Sequence, residues 1–154
     1  MVPSLVMSYS LSFVGYNQRR KLTRSVIQWF IQQRSLGRFK FFLDINDRRC
    51  RSVDGNSGTC STLDSISNPR MFEIEIDNTQ DDKEYVSTLF HELIHVEQRL
   101  RGHHQHRYSW TDYCKWKGEV VLDDVPYKDQ PWEKEARKWE KRLTRMYFSA
   151  MINP

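Results

Sequence analysis

The feature that most constrains this 154-residue chain is a change of hydrophobic period between residues 70 and 102. From Arg70 to Asp77 (RMFEIEID), Phe72, Ile74 and Ile76 alternate with Glu73, Glu75 and Asp77, the two-residue period of a strand with one wet face. Beyond Asp82 the period becomes helical, with Tyr85, Leu89, Val96 and Leu100 as one apolar stripe. The stretch Asp77 to Asp82 supplies N-cap candidates and early negative charge, and Gly102 stands where the helix should close. A strand feeding an amphipathic helix in this way predicts an α+β domain, with a small mixed sheet packed against that helix.

The flanking segments extend the pattern. Residues 17–36 predict a helix, with Leu22, Val26, Trp29, Phe30 and Ile31 near helical spacing and Gly37 at the C′ position. Phe39, Phe41, Leu43 and Ile45 predict a strand, residues 46–58 a loop with positive-φ turns at Asp54-Gly55 and Ser57-Gly58, and 59–63 a short strand. Residues 103–130 read as irregular, with a short strand at 116–122. Pro131 opens a last helix running to about Phe148. The whole of 1–154 fits one domain with its core at about 17–148.

Composition narrows the class. An apolar fraction of 38 % with five Trp, seven Tyr and eight Phe is that of a self-folding globular chain. Residues 1–51 carry ten Lys/Arg against two Asp/Glu, whereas the remainder carries fourteen against eighteen. A solvated face accounts for that basic excess, and weak attraction to nucleic acid is the alternative. Cys50, Cys60 and Cys114 have no metal-ligand spacing, and their odd number argues against a disulfide framework, so a reducing compartment is expected. The opening stretch, residues 1–16, lacks the charged start and sustained apolar run of a signal peptide, and no run reaches the length of a membrane span. A cytoplasmic location follows as the expectation.

The chemistry lies in His91-Glu92-Leu93-Ile94-His95, in the middle of the 82–100 helix. Residues four apart share a helix face with Cβ atoms about 5–6 Å apart, so His91 and His95 can reach one ion. Glu92 sits about 100° further round, poorly aimed for ligation but placed beside a water on that ion, as a general base. Zinc lowers the pKa of such a water towards about 7 and polarises a carbonyl, while the carboxylate moves the proton to the leaving amine. The motif therefore predicts zinc-dependent hydrolysis of an amide bond.

A catalytic zinc site usually needs a third protein ligand. A metzincin continuation is absent, because Gln98 and Arg101 stand where its glycine and histidine would be. His103, His104 or His106 could fold back from the helix end, and His106-Arg107-Tyr108-Ser109-Trp110 faintly resembles an element of SprT-like DNA-associated proteases, without its glycine. A carboxylate within Pro131 to Ala136 is the remaining option.

The stretches FHELIHVEQ at 90–98, Trp116-Lys117-Gly118 and Tyr127 to Ala136 (YKDQPWEKEA) together resemble gluzincin-type metallopeptidases, more closely the small zincin-like ones of phages and large viruses. The resemblance covers about residues 81–145. It implies a Glu on the last helix as third ligand and, through the following Ala136, points to Glu135 over Glu133, the two lying on different helix faces. It also implies an extended peptide substrate bound along a sheet edge near the metal helix, for which Arg70 to Asp77 is the candidate edge or its neighbour.

Tyr127 or Tyr108 is a candidate donor to the developing oxyanion. Trp132 and Trp139 are expected to pack the last helix on the metal helix. The alternatives to a peptidase are a catalytically inactive zinc-binding adaptor and a protease brought to DNA by the basic N-terminal third around Arg19, Arg20, Lys21 and Arg24. The expected partner is a protein or peptide substrate.

Overall fold

The computed structural model describes residues 8–15, 17–49, 55–65, 67–106 and 113–153. Four strands, β1 (Tyr9–Val14), β2 (Phe41–Arg48), β3 (Gly58–Thr62) and β4 (Met71–Asp77), form a mixed sheet in the order β1-β2-β4-β3. β1 and β2 run parallel, as do β2 and β4, while β3 is antiparallel to β4. Three helices, α1 (Arg20–Gln33), α2 (Asp82–Leu100) and α3 (Pro131–Ile152), complete the α+β fold with a second sheet of β5 (His104–His106), β6 (Tyr113–Trp116) and β7 (Glu119–Leu122). Among the described residues no helix is long and apolar enough to cross a membrane.

β1 is an addition to the elements expected from sequence. Tyr9, Leu11 and Phe13 alternate with Ser10 and Ser12 and sit in register with Phe41, Leu43 and Ile45. These apolar positions share a face with Phe72, Ile74 and Ile76 of β4. α1 and α2 cover that face through Val26, Ile27, Phe30, Leu89, Phe90 and Leu93, all buried. Glu73 and Glu75 therefore lie on the opposite face of the sheet, away from α2, where Glu75 pairs with Arg48.

The helix ends follow local chemistry, with one exchange of residue. Asp81 caps α2 by accepting from the Glu84 amide at 2.8 Å. Its C-terminus closes on Gly102 at φ 72°, with His103 N donating to Gln98 O, a Schellman motif. α1 closes in the same way on Ser35 at φ 54°, with Leu36 N donating to Ile31 O, rather than on Gly37. Gly58 is likewise no positive-φ turn; it opens β3, and Gly55 holds the left-handed position. Asp54 lies outside the described residues.

The segment 116–122 is a hairpin rather than one strand. Trp116 pairs with Glu119 across Lys117 and Gly118, whose φ values of 49° and 86° mark the mirror-type two-residue turn that matches strand twist. Three residues of 3-10 helix, Tyr127–Asp129, then lead into Pro131 at the first turn of α3, which runs to Ile152.

Candidate metal centre

α2 and α3 pack side by side, and the site lies in their contact. On α3 the inward stripe is Glu133, Ala136, Glu140, Leu143 and Tyr147, spaced three or four residues apart. Two of its members are acids in phase with buried apolar residues, and both meet His91. His91 Nε2 lies 3.0 Å from Glu133 Oε2, and His91 Nδ1 lies 2.7 Å from Glu140 Oε2. His95 Nε2 is 3.1 Å from the other Glu133 oxygen, and His95 Nδ1 is 2.9 Å from Gln98 Oε1. Both rings thus present Nε2 to one carboxylate and tie Nδ1 to a different partner.

His91, His95 and Glu133 each offer one ligand atom within 4.8 Å of the others, the group among the described residues able to hold a metal ion. Ligands on one tetrahedral ion with bonds of about 2.0–2.2 Å stand about 3.3–3.5 Å apart, so the spacing needs only small adjustment. The donor set, two imidazoles and one carboxylate with both Nδ1 atoms occupied, fits such an ion.

The expectation of Glu135 as third ligand is not met by this geometry. Two residues along a helix is about 200° of rotation, so Glu133 and Glu135 cannot both face the two histidines. Glu135 instead accepts from Gln98 Nε2 at 3.2 Å and pairs with Lys117 Nζ at 3.3 Å. Glu133 is in phase with Ala136 and Leu143 on the buried stripe of α3, and Glu135 is not.

The histidines after α2 stay apart from the group. His104 is 6 % exposed and stacks on Trp132, ring centroids 4.1 Å apart and nearly parallel. His103 and His104 both flank Trp116. The Trp132 ring stacks on β5 while its carbonyl accepts from Gln98 of α2, and Trp139 packs against the core cluster beneath the guanidinium groups of Arg34 and Arg142. Residues 107–112, including Tyr108 and Trp110, lie outside the described residues, as does Cys50.

Electrostatics at the site oppose burial with pairing. Burial lowers the His91 pKa, but hydrogen bonds to Glu133 and Glu140 dominate and hold it up at about 10. Burial raises Glu133, yet its bonds to His91, His95 and Tyr127 bring it well below the carboxylate range. Glu92, 6 % exposed, is raised chiefly by burial, against the pull of His95 and His91.

Glu92 and His91 open onto a cleft of about 390 Å³. Gly58 at the start of β3, Thr88, Tyr127, Glu84 and Glu140 line it, and among the described residues no lysine or arginine does. Gly58 was read from sequence only as a turn residue. A Cβ there would stand 2.7 Å from Thr88 Cγ2 and 3.2 Å from Glu92 Cγ, so its lack of a side chain lets Glu92 sit against the strand. Tyr127, 58 % exposed, places its hydroxyl beside Glu133.

Three of the cations in the basic N-terminal third are used internally. Arg19 pairs with Asp82, Arg34 with Glu97, and Arg48 with Glu75. Comparison of the chain with protein-family models, with curated proteins and with solved structures finds no match.

Proposed function

We propose that this chain is a zinc-dependent peptidase in which His91, His95 and Glu133 hold the ion and Glu92 moves the proton. The observation that carries the reading is the convergence of both Nε2 atoms on the Glu133 carboxylate, with Glu92 buried beside them at the mouth of a cleft. His91, His95 and Glu133 would hold the zinc, which would supply Lewis-acid polarisation of a carbonyl.

The residues of the chain do the rest. Glu92, held in a dry environment that raises its proton affinity, accepts a proton from the attacking water and returns it to the leaving amine. The Tyr127 hydroxyl, which lines the cleft and is hydrogen-bonded to Glu133, would turn to donate to the substrate carbonyl oxygen as negative charge builds there. Among the described residues β3 pairs with a strand on one side only, and its first residue lines the cleft, so an extended peptide can add to that edge. Glu84, with no lysine or arginine among the described residues of the lining, favours peptides carrying a basic side chain next to the scissile bond.

The test is cleavage of a mixed peptide library by zinc-loaded protein and by its Glu92→Gln variant. The reading expects cleavage by the parent and a loss of at least about 100-fold in the variant with zinc retained. Equal cleavage by both would contradict it. Zinc uptake without cleavage of any peptide would favour a metal-binding adaptor instead.

A further inference from the structure

Gln98 is 1 % exposed, and every hydrogen-bonding atom of its amide is committed. Its nitrogen faces two acceptors, the Trp132 carbonyl oxygen at 3.0 Å and Glu135 Oε1 at 3.2 Å. Its oxygen faces His95 Nδ1 at 2.9 Å. The reverse amide orientation would set the oxygen against two acceptors, so the environment allows one orientation only.

That orientation has a consequence for the ring. An amide oxygen can only accept, so His95 Nδ1 must carry a hydrogen, and the neutral ring then keeps its lone pair on Nε2, the atom facing Glu133. Glu135 is in turn held by Lys117, which projects from the two-residue turn between β6 and β7. His91 is oriented differently, by the Glu140 carboxylate at its Nδ1.

We propose that Gln98, fixed by Glu135, is a positioning residue that sets the tautomer and direction of His95 for metal binding. This rests on His95 being a metal ligand, and Glu135 acts through Gln98 rather than on the ion. Outer partners of ligating histidines typically account for about 10- to 100-fold in metal affinity.

The experiment measures zinc affinity by chelator competition for the parent, Gln98→Leu, Glu135→Ala and the double variant. Nitrogen-15 NMR of the cadmium-loaded forms reads which ring nitrogen of His95 is bound. Gln98→Leu is expected to weaken zinc by about 10- to 100-fold. Glu135→Ala, a change at a partly exposed position that leaves the core intact, should weaken it less, by several-fold. The double variant should bind no more weakly than Gln98→Leu alone, because removing Gln98 already severs the path from Glu135. Parent cadmium should couple to Nε2 of His95.

Unchanged affinity in either single variant, additive losses in the double variant, or metal on Nδ1 of His95 would overturn the proposal. A parent that takes up zinc but cuts no peptide sinks the peptidase reading and leaves this one standing; a parent that takes up none sinks both.

Discussion

Gly58 and Glu92 are packed so closely that a single methyl group would part them: a Cβ on Gly58 would lie 3.2 Å from Glu92 Cγ and closer still to Thr88. Gly58→Ala should therefore displace Glu92 while sparing His91, His95 and Glu133. The expected result is a fall in kcat of at least about tenfold with zinc affinity nearly unchanged, and a stability loss of about 1–3 kcal/mol from overpacking. Single-turnover rates beside chelator titrations would separate the two effects.

Zinc uptake should release protons at neutral pH. The Glu133 and Glu140 carboxylates hold the His91 ring well above its usual range, which favours the charged form at pH 7, whereas a metal ligand must be neutral. Calorimetry in buffers of different ionisation heat should show about one proton released from this ring per zinc. Affinity should correspondingly rise about tenfold per pH unit between pH 6.5 and 9. A pH-independent affinity across that window would contradict the assignment.

His104 should weaken the metal-free fold in acid. Burial first, then the positive charge of Arg99, push its pKa down to about 2, and its Nε2 has no hydrogen-bond partner among the described residues. Below about pH 6.5 the unfolded chain takes a proton that the folded ring does not, so stability falls as pH falls. His104→Phe keeps an aromatic ring against Trp132 and removes the titration. Urea midpoints should show the variant gaining on the parent steadily from pH 6.5 to 4.5, with a constant difference above pH 7.5.

The cleft charge should set substrate preference. Glu84 lies at the cleft wall and stands apart from the ligands on the first turn of α2. Glu84→Lys should shift kcat/KM from peptides with Lys or Arg beside the cleaved bond towards those with Glu, by about 5- to 50-fold, while zinc content stays constant. Matched peptides differing at that one position provide the measurement, and an unchanged ratio would remove the acidic lining from the account of specificity.

The sequence revealed the strand-to-helix transition and the two histidines because each depends on local spacing. β2, β4 and α2 announce themselves by apolar period, and His91 and His95 share a face by the same arithmetic. β1 is equally legible in the alternation of Tyr9, Leu11 and Phe13 with Ser10 and Ser12. Glu133 required knowing which face of α3 meets α2, a tertiary fact recorded only indirectly by Ala136, Leu143 and Tyr147 in the same stripe. Gln98 and Gly58 carried no such mark. Their importance comes from what lies opposite them across chain separations of 37 and 34 residues, Glu135 and Glu92 respectively.

The central claim is that Glu133, not Glu135, completes a zinc site with His91 and His95. Zinc stoichiometry by mass spectrometry under native conditions, on protein prepared without chelators, tests it most directly. The account predicts one zinc per chain in the parent and in Glu135→Ala, and none in Glu133→Ala. A parent without zinc, or zinc kept by Glu133→Ala and lost by Glu135→Ala, would contradict it.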